Sequence, residues 1–90
     1  MELIKTAARD DAVLLRSGVG RQGWFTFLDM VTCGGREFAA LADEADELCI
    51  MEFFESDGKA PERYREIEDD ALFENVAALF SRQNPDLFEF

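Results

Sequence analysis

The stretch Trp24-Phe25-Thr26-Phe27-Leu28-Asp29-Met30-Val31-Thr32-Cys33-Gly34-Gly35-Arg36-Glu37-Phe38-Ala39-Ala40-Leu41-Ala42 carries the main topological signal of this chain. Its first half is aromatic and β-branched, a composition that favours a strand. Gly34-Gly35 then fits a two-residue type I′ hairpin turn, in which both central residues need positive φ. Arg36–Ala42 becomes the return strand. That turn sets Val31 opposite Phe38, Leu28 opposite Leu41 and Phe27 opposite Ala42. Apolar residues then meet on both faces, which implies burial on both sides of part of the hairpin.

Working outward, Asp43-Glu44-Ala45-Asp46 reads as a polar loop. Glu47–Glu55 reads as a further strand, with Leu48, Ile50 and Phe54 on one face and Cys49, Met51 and Phe53 on the other. Ser56-Asp57-Gly58-Lys59 is a turn. Arg63–Ile67 fits a short edge strand, since Arg63, Arg65 and Glu66 are charges of the kind that protect an edge. The period then changes: Ala71, Leu72, Val76, Leu79 and Phe80 recur at helical spacing. Asp69 or Asp70 is the expected N-cap, Arg82 suits the C-terminal end of the dipole, and Asn84-Pro85 stops the helix. Local propensity also supports a rival for Glu37–Met51. Phe38, Leu41, Ala42, Ala45, Leu48 and Cys49 make a good helical stripe, so the residues alone leave strand–loop–strand and one long helix both open.

The composition narrows the function. Ninety residues carry 20 acids, 9 Lys or Arg and no His, for a net charge of −11, and 48% are hydrophobic. That is too apolar for a disordered acidic tail and fits one folded domain. The charge is uneven: residues 1–36 hold four acids and five bases, and residues 37–90 hold sixteen acids and four bases. Phosphate would repel such a chain, so direct nucleic-acid binding is disfavoured. Without His, the usual general base near neutral pH is missing. Ser17, Ser56 and Ser81 have no His partner. Gly18, Gly20 and Gly23 spell GxGxxG, but an aromatic strand follows where a dinucleotide site needs a helix. No apolar run approaches the roughly 18–20 residues of a membrane span. Met1–Asp11 lacks the apolar core of a signal peptide, so a cytoplasmic location is expected.

Two acidic clusters stand out: Asp43, Glu44, Asp46 and Glu47 in the loop, and Glu66, Glu68, Asp69 and Asp70 at the helix start. The loop lacks the EF-hand spacing and its sixth-position glycine. The second cluster suits capping and dipole complementarity. As functional residues, both read as contacts for basic side chains of a partner. Cys33 sits at the glycine turn and Cys49 mid-strand near Ala40. That is too far apart for a bridge spanning about 7 Å between Cα atoms, so two reduced thiols are expected. Neither a metal nor a cofactor is expected. Leu87, Phe88 and Phe90 form an apolar tail that is expected to dock on the sheet or helix, or else to serve as an exposed contact motif.

The ordered set of segments resembles the YrzB-like family, small acidic bacterial proteins with a domain of unknown function. The residues that carry the resemblance are Phe25-Thr26-Phe27-Leu28-Asp29, the glycine turn and Arg36-Glu37-Phe38-Ala39-Ala40-Leu41. They are followed by the aliphatic strand Leu48–Phe54, then Ile67-Glu68-Asp69-Asp70, the helix Ala71–Arg82 and the ending Asn84-Pro85-Asp86-Leu87-Phe88-Glu89-Phe90. The likeness covers roughly residues 12–90. It implies an α+β fold: a small antiparallel meander of about four to five strands, packed with one C-terminal helix. This favours strand–loop–strand over the long helix. It supplies no catalytic or binding residues. The family often has an acidic first hairpin turn, whereas Ser17–Gly23 is glycine-rich here, and Met1–Asp11 falls outside the match.

The expected organisation is a single domain, residues 1–90. Residues 1–11 are an unassigned N-terminal segment, 12–68 the meander, 69–83 the helix and 84–90 the tail. The expected function is that of a non-enzymatic accessory or regulatory protein that binds another protein. The alternative is a nucleic-acid mimic that occupies the basic groove of a nucleic-acid-binding protein. That alternative requires carboxylates spaced like phosphates along one surface. An enzyme or metal site would require a cleft with converging carboxylates.

Overall fold

Hairpins dominate the architecture because tight turns recur between the apolar segments. The computed structural model describes residues 2–86. In chain order these form β1 (Glu2–Arg9), β2 (Ala12–Ser17), β3 (Gln22–Cys33), β4 (Arg36–Ala42), β5 (Leu48–Phe54), β6 (Arg63–Glu66) and α1 (Asp70–Gln83). Each strand pairs antiparallel with the next, and β6 returns to β1, so the sheet closes into a barrel. The α+β class and the single C-terminal helix are as expected, but there are six strands rather than four to five. The extra strand comes from the N-terminal segment, whose pattern is faint because Leu3 is its one buried residue and Thr6–Arg9 are exposed. Closure also removes the expected edge. Arg63–Arg65 pair with Glu2–Ile4 on one side and with Glu52–Phe54 on the other.

Gly34 and Gly35 have φ of +62° and +78°, as a type I′ turn demands. The β3–β4 register runs as expected from Cys33↔Arg36 through Val31↔Phe38 to Asp29↔Ala40. There a bulge at Leu28 shifts it, so Leu41 faces Phe27 and Ala42 faces Thr26. The expected pairs Leu28–Leu41 and Phe27–Ala42 therefore do not form. The bulge has a clear physical use. It switches which residues of β3 face inward. Phe25 and Phe27 pack in the barrel, while beyond the bulge Leu28, Val31 and Cys33 pack on the outside.

Two apolar clusters result. The interior holds Leu3, Leu15, Ala39, Leu41, Met51 and Tyr64. Burial there pushes the Tyr64 phenol up to about 12. The outer cluster holds Val31, Phe38 and Ala40 beneath Val76 and Phe80 of α1. The helix stripe is Leu72, Val76, Ala77, Leu79 and Phe80, whereas Ala71 is exposed. Asp69 is the N-cap and accepts from the N–H groups of Ala71 and Leu72 at 2.9 and 3.2 Å. At the other end, Asn84 Nδ2 donates to Asp29 Oδ2 at 2.7 Å and ties the helix to β3. The expected docking of Leu87, Phe88 and Phe90 lies outside the described residues.

Candidate functional site

The two acidic clusters approach each other through one residue each, Asp43 and Glu66. The β4–β5 loop is shaped by its own first residue. Asp43 accepts from the N–H groups of Ala45 and Glu47, each at 2.9 Å, and Asp46 takes a positive φ of 61°. Glu44 reaches back to accept from the Trp24 N–H at 3.1 Å. Glu44, Asp46 and Glu47 are exposed and Asp43 is half-buried. The chain from Glu37 to Gly58 holds eight acids and no base, so backbone hydrogen bonds hold these carboxylates without neutralising them.

The second cluster divides. Glu66, Glu68 and Asp69 line a cleft of about 630 Å3 together with Glu2, Arg36, Glu52, Arg65, Ile67 and Leu72. Asp70 stays outside it, in the first helical turn. The cleft mixes signs. Arg65 pairs with Glu2 at 3.0 Å. Arg36 forks onto Glu52 through Nε–Oε2 at 2.8 Å and Nη2–Oε1 at 2.5 Å. Glu52 is only 8% exposed, and its bonds to Arg36 hold its carboxyl below the usual carboxylate range. This pair was not flagged by the sequence. Arg36 and Glu52 lie 16 residues apart and meet only because β4 and β5 are neighbours.

The more informative feature lies beside it. β5 pairs with β4 over all but its last residue, from Ala42↔Leu48 to Glu37↔Phe53. Its pairing with β6 begins only at Met51↔Glu66. Next to the side of Leu48–Ile50 that has no strand partner among the described residues runs a mainly apolar groove of about 470 Å3. Leu48, Cys49, Ile50, Ile67 and Phe73 line it, with Leu3, Phe25 and Met51 deeper, and Asp43 and Glu66 flank it. One residue from each acidic cluster thus meets at this groove. Leu48 and Phe73 are 43% and 40% exposed, two of the three exposed large hydrophobics among the described residues. The third, Val19, lies on the glycine-rich β2–β3 turn. Nothing in the sequence marks Phe73 as exposed, because it lies three, four and seven residues before the buried Val76, Ala77 and Phe80 and so shares their helix face.

Cys33 and Cys49 are free thiols. Cys49 pairs with Leu41, next to Ala40 as expected, in a β4–β5 register that sums to 90 at every pair. Burial, then the nearby Asp43 and Glu47 charges, push its thiol up. Among the described residues, no three His, Cys, Asp or Glu side chains converge as a metal would need. No described helix is long and apolar enough to cross a membrane.

Fold and groove together define a small closed antiparallel barrel, buttressed by one helix, with an acid-flanked apolar groove at one end. The chain belongs to a family described as protein of unknown function (DUF1292), which it matches over residues 20–83. The matched stretch runs from β3 through α1 and leaves out β1 and β2, the two strands that close the barrel. No curated protein and no solved structure matches the chain.

Proposed function

We propose that this chain is a non-enzymatic cytoplasmic accessory protein that binds a basic partner protein, and that it stands among the YrzB-like members of its family. The observation that carries this reading is the groove. Exposed Leu48 and Phe73 offer apolar area, while Asp43 and Glu66, one from each acidic cluster, set the charge beside it. Desolvated apolar anchors supply affinity, and a flanking field of one sign selects a partner of the other. Nucleic-acid mimicry is the weaker reading, because Arg36 and Arg65 stand among the acids of the adjoining cleft and interrupt any phosphate-like row.

The test compares the wild-type chain with the triple variant Asp43→Asn, Glu44→Gln, Glu47→Gln. Those replacements keep the acceptors that shape the loop and remove three of its four negative charges, leaving that of Asp46. Each protein is immobilised and exposed to cell extract at about 0.1 M and about 1 M salt, where the Debye length falls from ~10 Å to ~3 Å. The expected result is one or a few basic proteins retained by the wild type at low salt and lost both at high salt and by the variant. Retention of the same proteins by the triple variant contradicts the reading.

A further inference from the structure

We infer that the partner enters the groove as an extended segment and adds a strand to β5 along Leu48–Ile50, where β6 stops short. This rests on the binding role proposed above and specifies its mode. Three observations converge on it.

First, the barrel is closed but not along its full length. Leu48–Ile50 keep β4 on one side, and the β6 ladder ends at Met51↔Glu66 on the other. After Glu66 the chain leaves for the helix through Ile67, Glu68 and Asp69. An unpaired edge is a template for another strand, and strand addition is a common way to recognise extended peptides.

Second, the space beside that edge is a mainly apolar groove whose lining includes Leu48, Ile67 and Phe73. An extended segment presents alternate side chains to one face. Every second residue of an added strand would then meet this apolar lining, and the intervening ones would face out.

Third, the charge picks the occupant. Asp43 flanks the groove, and its loop adds Glu44, Asp46 and Glu47 without a single base. A second copy of this chain would bring the same acids to the same edge, on a body of net charge −11. Like charges brought side by side oppose pairing. The edge is therefore guarded against its own kind and open to a segment that alternates apolar residues with Lys or Arg.

The experiment uses the full chain, labelled with 15N, and two synthetic peptides of about ten residues each, built from the same Lys and Val residues. One alternates Lys and Val, and the other spaces Val as on a helix face. The alternating peptide is made in two further forms, N-methylated at every second residue in either of the two frames. A strand uses the N–H groups of one edge only, so one frame is expected to abolish binding and the other to leave it. The Leu48–Ile50 amide signals should move on titration, and affinity should fall at least about tenfold between low and high salt. If the helix-patterned peptide binds better, or the two N-methylated frames bind alike, strand addition is overturned while the protein-binding role stands. If neither peptide binds, both are overturned. Two outcomes assign the groove to another occupant and overturn the inference. One is self-association without peptide that shifts the same amides. The other is peptide binding that occurs only after removal of residues 87–90.

Discussion

Met51–Phe54 and Leu48–Ile50 are two halves of one strand, similar in composition and continuous in backbone, yet they sit in opposite surroundings. Every residue of Met51–Phe54 pairs with β6 and all but Phe54 also pair with β4, with Met51 in the interior and Glu52 buried under Arg36. Among the described residues Leu48–Ile50 pairs with β4 alone, with an apolar groove beside its other edge and acids at its flank. Free energy of folding is concentrated where a strand is enclosed, and a binding edge must come from the part that is not. The difference shows how a barrel of this size keeps a recognition surface. It shortens one strand rather than adding a loop.

The sharpest way to break this comparison is to remove a side chain from each half. Met51→Ala deletes a residue only 6% exposed in the interior cluster and should cost about 2–4 kcal/mol. Leu48→Ala removes a side chain on a residue that is 43% exposed and should cost about 0.5–1 kcal/mol. Urea denaturation of both variants, with the slope unchanged from wild type, measures the gap. Equal losses would mean that the two halves share one environment.

The ion pair tests the enclosed half alone. Arg36 is exposed enough to be hydrated on its own, whereas Glu52 is not, so the two deletions are unequal. Arg36→Ala strands a buried carboxylate and should destabilise more than Glu52→Gln, which keeps shape and a hydrogen-bond acceptor. The expected ordering places Arg36→Ala between Met51→Ala and Leu48→Ala. The pH dependence follows from Glu52, whose folded carboxyl titrates below its ordinary value. Its contribution is full above the ordinary carboxylate range and is lost as pH falls through that range and then through the depressed folded value. Denaturation across acid pH should therefore show a steeper decline for wild type than for Glu52→Gln. A reversal of either ordering would assign the burial of Glu52 no part in stability.

How much of this could be read in the sequence differs by element, and the reasons are physical. The β3–β4 hairpin and the helix were legible because local chemistry specifies them. Gly34-Gly35 dictates a turn, and the Asp69 cap with the Leu72–Phe80 period dictates a helix. The register failed at Leu28 because a bulge answers to the shape of two cores, one on each side of the sheet, and no local residue announces it. β1 was missed because a strand that buries one Leu carries almost no pattern of its own and is held by β2 and β6. The acidic clusters were visible as composition. Their meeting at one groove was not, because Asp43 and Glu66 are brought together only by the pairing of β6 with β5, a contact that no local residue announces. That Leu48–Ile50 has no second strand partner among the described residues is the same kind of fact, since it depends on where a distant strand ends.

The smallest expected effect probes the open half from within. Cys49 lines the groove, and its thiol is pushed up first by burial and then by Asp43 and Glu47. The thiolate is the reacting form, so a raised thiol slows alkylation at neutral pH. Asp43→Asn with Glu47→Gln removes the electrostatic part and leaves the burial. Alkylation of Cys49, followed by peptide mass mapping so that Cys33 is counted separately, should speed up by about two- to threefold at low salt. The gain should vanish near 1 M salt, where a Debye length of about 3 Å screens the acids anyway. A variant that reacts no faster at low salt would mean that the loop charges do not reach the groove. The alternating basic peptide would then have no electrostatic reason to prefer this edge.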